Sequence, residues 1–423
     1  MNKPKSFLGT KLLIALVSIS LYSCAQMPYY REDVYYHKLN SPAVKVKLLE
    51  TRDELLVSPD GSFVIRCYSP IRETSEYFSS AKIWLKIEAG GISLGARGQK
   101  EFENNLQKVS FEPRGENFWI YLNGKKYKGI VEIKYLPEEK LALALNTVFM
   151  EDYLKGVLPA EIGKWSENEF EALKAQAIAS RTYALYFLGN SGEKGYNLES
   201  TVADQLYQGA DSEDKLTNIA VEKTKGLILT YEGKPIKAHY HANCGGSTER
   251  IEDVWEKPPQ PYLNAMDDND FCAWAKNYTW EEKWLSEELE KIISAYLGTY
   301  QEIPPGGIGE ILNLEILKKS PGGRVSLLEI KTNRMVIRVE KDNIRWVMRR
   351  KANPHPILPS TLFDIHLQRN PSGELKEILL KGKGNGHGVG ICQTGALGRA
   401  RAGQSYQEIL SYFYQGTKIV KLY

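Results

Sequence analysis

The 423-residue sequence lacks an excess of charge of either sign: 55 Lys and Arg stand against 52 Asp and Glu, a formal net charge of +3. A chain so balanced has no global field with which to recruit a polyanion, so no nucleic-acid partner is expected. Local basic runs such as Arg345, Arg349, Arg350 and Lys351 read as solvated edges. Long apolar runs are lacking too: Leu12 to Leu21 falls short of the ~20 residues that span a bilayer, which argues against a permanent transmembrane anchor. No internal repeat and no low-complexity tract is found, which excludes a solenoid or a collagen-like chain. The glycines of the C-terminal stretch do not have the spacing of a dinucleotide fingerprint or a phosphate loop.

What is present begins with a leader. Lys3, Lys5 and Lys11 precede the apolar run, and small or polar residues follow it, which is a secretory signal pattern over residues 1–23. Leu21-Tyr22-Ser23-Cys24 resembles a bacterial lipobox, so Cys24 is the expected acylated first residue of an exported protein tethered to a membrane by its lipid. Ordinary cleavage near Ser23-Cys24-Ala25 is the alternative. The expected location is the cell envelope, facing the periplasm or the wall. Export permits disulfides. Cys244 and Cys272 sit in turn-like surroundings and are the preferred pair, although sequence alone leaves connectivity open. Cys67, in the strand-like run Phe63 to Tyr68, reads as a buried free thiol.

The chain reads as α+β. A tether over 24–43 precedes a small β-rich region over 44–143, with runs such as Val44 to Leu48, Phe63 to Tyr68 and Phe118 to Leu122 separated by Pro59-Asp60-Gly61 and Asn123-Gly124 turns. No catalytic constellation appears there. The texture changes near Phe149: Met150 to Gly156 predicts a short helix ended by Gly156 and Pro159. Ser166 and Glu169 form a capping box that predicts a helix from Glu167 to Gly189, and that helix is apolar nearly all round and therefore buried. Arg181 lies inside it and needs a partner: either a scaffold carboxylate such as Glu151 or Asp152, or the substrate. The stretch 280–370 mixes an amphipathic segment, Leu285 to Leu297, with β-like runs around Ile311 to Leu317 and Met335 to Val339. Glycines at 382, 384, 386, 388 and 390 permit another chain or a ligand to come close to the backbone. His387, among them, faces either an extended substrate or the core. Ser405 and Glu408 cap the last helix, which Gly416 closes.

The residues Glu151-Asp152-Tyr153-Leu154-Lys155-Gly156-Val157-Leu158-Pro159-Ala160-Glu161, the helix Leu173 to Tyr183 and the block Gly386-His387-Gly388-Val389-Gly390-Ile391-Cys392-Gln393-Thr394-Gly395-Ala396 resemble the stage II sporulation protein D family (SpoIID), which includes the LytB amidase-enhancer proteins. Gln205-Leu206-Tyr207-Gln208-Gly209 and His241-Ala242-Asn243-Cys244-Gly245-Gly246 match more weakly, in family order. The resemblance implies a SpoIID-like catalytic domain over 144–423, poorly matched at 280–370, that acts as a lytic transglycosylase on peptidoglycan glycan strands. It places the catalytic glutamate on Glu161. It carries Arg181, Gln205, Tyr207, Gly245, Gly246, His387 and Gln393 over as cleft residues, and a cell-wall amidase as a further partner.

One carboxyl suffices for that chemistry. The N-acetylmuramic acid C6 hydroxyl attacks within its own sugar, with a large effective molarity, so no protein nucleophile is required. Burial beside Val157, Leu158, Pro159 and Ile162 is expected to raise the Glu161 pKa so that it can donate. Two other function classes compete: a noncatalytic glycan binder that enhances an amidase, and a cysteine hydrolase using Cys392 and His387. Some family members bind zinc through Cys and His before the Gln-x-Tyr-x-Gly block, but Asn197 to Asp204 contains neither. His239 and His241, on one face of a strand with Cys244 nearby, offer a metal reading without a clear third and fourth ligand. No metal and no cofactor are therefore assigned.

Overall fold

The computed structural model describes residues 41–70, 75–96, 103–115, 118–188 and 195–423. The expected leader, tether and Cys24 lie outside them. Among the described residues no helix is long and apolar enough to cross a membrane.

Alternation builds two strands of the β-rich region, while Gly91–Ala96 and Leu141–Phe149 are buried on both faces. Along Ala43–Thr51, Val44 and Val46 turn inward and their lysine neighbours outward, and Ile130–Leu136 repeats the pattern with Val131, Ile133 and Tyr135. A seven-stranded sheet runs in the order Leu198–Glu199, Ala43–Thr51, Leu141–Phe149, Ile130–Leu136, Lys108–Pro113, Phe63–Tyr68, Ser75–Ser79, beside a six-stranded sheet. Cys67 is a buried free thiol, as expected. This region does not close a core of its own. Leu141–Phe149 passes directly into the first helix, and one apolar cluster continues from Val44 to Tyr414.

The helices are α1 (Met150–Glu161), α2 (Phe170–Leu188), α3 (Lys215–Lys223), α4 (Ile251–Val254), α5 (Ser286–Tyr296), α6 (Asn343–Val347), α7 (Gln393–Arg401) and α8 (Tyr406–Phe413). α1 corrects an expectation: it runs through both Gly156 and Pro159 to Glu161. A side chain at 156 would meet the Tyr207 ring at 2.6 Å and the Gly209 carbonyl at 2.7 Å, so the glycine marks close packing and not a helix end. The Ser166–Glu169 capping box forms around a 3₁₀ turn, Glu167–Glu169, that leads into α2. α2 is buried on nearly every side.

The stretch that the sequence left least defined has a separate core. Trp284, Leu289, Ile293, Leu328, Ile330, Ile337, Val339, Ile378 and Leu380 are all buried in it, between α5, α6 and the sheets of Thr279–Leu285 with Leu375–Lys383 and of Ile311–Lys319 with Val325–Thr332. After it the chain returns to the first core. The parallel pairing of Tyr240–His241 with Ile391–Cys392 then joins the His241 block to the His387 block. The alternating glycines serve this approach: a Cβ at Gly386 would meet the His241 Cβ at 2.7 Å, and one at Gly390 the His239 carbonyl at 2.0 Å.

Candidate active site

Glu161 is the last residue of α1 and is half-buried. Its carboxylate accepts the Leu206 backbone N–H at 2.6 Å and the Tyr240 hydroxyl. Both donors are neutral. Withdrawal from water outweighs them and lifts the Glu161 pKa to about 7. The negative end of the α1 dipole acts in the same direction.

Tyr240 is a residue that the sequence reading missed. It holds Glu161 on one side and accepts from Gln205 Nε2 at 2.9 Å on the other, while Gln205 Oε1 takes the Tyr153 hydroxyl at 3.0 Å. Gln205 Nε2 also reaches the Ser180 carbonyl at 3.3 Å. Gln205 is thus fully buried and positions Tyr240; it is not exposed to a glycan. Strand alternation held the available signal: Tyr240 stands between His239 and His241 and must face away from both.

Two expected cleft residues are buried and bonded within the protein. Arg181 is buried and its guanidinium is used up: Nε and Nη2 grip Glu151 at 3.0 and 2.7 Å, and Nη1 and Nη2 donate to the carbonyls of Leu227 and Val221 at 3.1 and 3.3 Å. No donor of useful geometry is left for substrate. Of the two partners considered for Arg181, the scaffold carboxylate is therefore the one realised. Tyr207 is also buried, donates to Asn146 Oδ1 at 2.8 Å and packs on Gly156 and Tyr153. Its ring supports α1 and does not face a cleft.

Gly245 and Gly246 take positive φ values of 79° and 115°. A Cβ at Gly245 would meet the Gly384 nitrogen at 2.9 Å, so the pair allows two loops of this chain to cross. His387 is half-buried and shares an aromatic cluster with His241, His239 and Trp255, at ring-centroid distances of 5.4, 5.9 and 4.8 Å. Its Nδ1 accepts the Val389 N–H at 3.0 Å, which leaves the proton of the neutral ring on Nε2. Burial holds all three histidines below the usual imidazole range. Gln393 opens α7, with Nε2 buried and unpaired.

The cysteines depart further from expectation. Cys244 and Cys272 are free thiols whose sulfurs lie 3.5 Å apart, with no bond between them. Cys392 closes on the same point: its sulfur accepts the N–H groups of Cys244 and Gly395, each at 3.2 Å. This placement corrects the cysteine-hydrolase alternative, because Cys392 is fully buried among thiols while His387 packs on histidines and Trp255. It also removes Cys244 from the His239–His241 metal reading. The segment Asn197 to Asp204 does not fit the family's zinc either: Asp204 is taken by the Tyr183 hydroxyl and the Glu199 N–H, and Glu199 by Lys47 and Tyr196.

Comparison with known proteins defines the class. The family described as stage II sporulation protein (SpoIID) matches residues 138–231, and a domain of unknown function (DUF8618) matches residues 268–390, which covers much of the second core. An uncharacterized protein of Brachyspira hyodysenteriae is 32% identical over 300 residues, 71% of this chain and 73% of that protein. The amidase enhancer of Bacillus subtilis is 29% identical over 367 residues, which are 79% of this chain but 49% of that protein. Stage II sporulation protein D of the same species is 27% identical over 294 residues, 65% of this chain and 76% of that protein. The chain belongs to the SpoIID family, and spans about half the length of the amidase enhancer it matches.

Proposed function

We propose that this protein is a peptidoglycan lytic transglycosylase, exported and lipid-anchored through Cys24, that cleaves glycan strands stripped of stem peptides between N-acetylmuramic acid and N-acetylglucosamine. The observation that carries this reading is the Glu161 carboxyl, raised to about 7 by withdrawal from water and held by two neutral donors. Such a group is protonated in a large fraction of molecules near neutral pH and can also serve as a base. Glu161 donates its proton to the glycosidic oxygen as the bond to C1 breaks. The resulting carboxylate accepts the proton of the muramic C6 hydroxyl as O6 bonds to C1. A 1,6-anhydro end results and Glu161 is protonated again, with no water consumed. Tyr240 and the Leu206 N–H steady the carboxylate between the two transfers. The test is mass spectrometry of products from purified denuded glycan: anhydro ends from the wild type and their loss in Glu161→Gln support the reading, and unchanged turnover in that variant overturns it.

A second reading has one observation in its favour, the likeness to a protein named amidase enhancer. On that reading the chain grips glycan for a partner amidase, and Glu161→Gln retains full stimulation of the amidase.

A further inference from the structure

Cys244, Asp268, Cys272 and Cys392 come from three separate stretches of chain, yet their ligand atoms all lie within 4.8 Å of one another and all four residues are fully buried. Cys272 is the immediate polar neighbour of Asp268, but neither carboxylate oxygen makes a hydrogen bond of normal geometry. An unpaired carboxyl in a core costs several kcal/mol unless something answers it. Gly395 deepens the oddity: a Cβ there would meet Asp268 Oδ1 at 2.2 Å and the Cys392 sulfur at 3.2 Å, so the glycine makes room for the carboxylate to point at the thiols.

We propose that these four side chains form a closed, tetrahedral structural site for a zinc ion. Thiolate ligands select a soft or borderline cation such as zinc over calcium or magnesium, and four protein donors leave no open position for substrate or water. With bonds of about 2.3 Å to sulfur and about 2.0 Å to oxygen, a tetrahedral site separates its donors by roughly 3.5–3.8 Å. The Cys244–Cys272 sulfur distance of 3.5 Å lies about 0.3 Å inside the ~3.8 Å of a tetrahedral sulfur pair. The surroundings suit thiolates. Backbone N–H groups of Cys244 and Gly395 point at the Cys392 sulfur, which caps the N-terminus of α7. Two buried guanidiniums offset the negative ligand set: Arg399 against the Asp268 carbonyl at 3.4 Å, and Arg324 against the Cys244 carbonyl at 2.8 Å. A Cys244–Cys272 disulfide would dispose of two sulfurs and leave Asp268 bare; a single cation answers all four groups. The ion would tie Tyr240–His241, the 268–272 loop and α7 together behind the strand that carries Tyr240.

The full-length protein, purified without chelators, tests this. Elemental analysis is expected to find about one zinc ion per chain, and chelation followed by Co²⁺ is expected to give the visible bands of a tetrahedral thiolate site. Asp268→Asn and Gly395→Ala, the second of which keeps all four donors but displaces the carboxylate, are expected to weaken zinc retention at least ~10-fold. Cys67→Ser should change nothing. Where a variant fails to fold, the cobalt spectrum of the wild type decides alone. A Cys244–Cys272 disulfide in nonreducing peptide maps overturns the proposal, as does reduced, folded wild type that takes up neither metal.

Discussion

Glu161 and Asp268 are two carboxyls withdrawn from water in adjoining parts of one core, and they differ in what faces them. Glu161 ends a helix, stays half-buried, and has both a backbone N–H and a tyrosine hydroxyl on its carboxylate. Asp268 is fully buried among three thiols, with Cys272 as its polar neighbour and no hydrogen bond of normal geometry on either carboxylate oxygen. The first arrangement leaves the group able to exchange a proton with something outside. Under the zinc proposal the second is completed by a charge and not by a proton donor. Desolvation alone thus does not mark a catalytic acid; the neighbours decide what it achieves.

The largest effect expected on this comparison is on chemistry at Glu161. Glu161→Gln keeps the shape and an acceptor for the Leu206 N–H but removes the dissociable proton, so cleavage of denuded glycan should fall ~10²- to 10⁴-fold while glycan binding, read by co-sedimentation, is retained. In the wild type, kcat/KM should decline as pH rises through about 7, because the acid form is then lost. Glu161→Gln should show no such limb.

Next in size is Arg181→Met. It strands the Glu151 carboxylate, which would keep the Tyr423 hydroxyl at 2.6 Å and the Gly226 N–H at 3.4 Å but lose its cation. Losing one partner of a buried pair costs roughly 3–5 kcal/mol, measurable as a lower urea midpoint. The KM of the folded fraction should stay put, since the guanidinium is fully occupied within the protein.

The same Glu161→Gln variant makes a smaller prediction about stability. The folded pKa of about 7 lies above the ordinary carboxyl value of 4.5, so the folded state binds the proton more tightly than the unfolded chain. Below pH 4.5 both states are protonated and nothing is lost; as pH rises through about 7 the folded protein must bear a desolvated anion. The penalty approaches at most about 3 kcal/mol at pH 8. Glu161→Gln should therefore be the more stable protein at pH 8 and its equal at pH 4.5, by urea denaturation at each pH.

The sequence made much of this legible where local rules dominate. β-rich runs between turn signals marked the strands at Val44 and Phe63, a capping box marked the start of the buried helix, and the blocks around Glu161 and His387 pointed to the family. Long-range pairing was not legible. Cys392 reads as a partner for His387, five positions away, until the parallel register of His241 with Cys392 brings it to Cys244, 148 positions away. Gly156 and Pro159 read as helix stops because intrinsic propensity says so; tight packing of Tyr207 on Gly156 overrides it. Arg181 and Tyr207 stand in the family-like blocks and both bond within the protein; a motif does not distinguish such a role from contact with a glycan.

The finest test concerns Tyr240, which links the glutamate to the interior. Tyr240→Phe removes one donor from the Glu161 carboxylate and leaves Gln205 Nε2 with the Ser180 carbonyl at 3.3 Å as its remaining acceptor, so the fold should lose only about 1 kcal/mol. Because the Tyr240 hydroxyl favours the charged form of Glu161, its removal should push the Glu161 pKa higher still, and the alkaline limb of kcat/KM should move to higher pH. The rate below that limb should change much less than in Glu161→Gln, since the proton being transferred is still present. A Tyr240→Phe protein with the wild-type pH profile would show that Leu206 alone sets the carboxylate, and one as inactive as Glu161→Gln would make the tyrosine, and not the glutamate, the group in contact with the glycan.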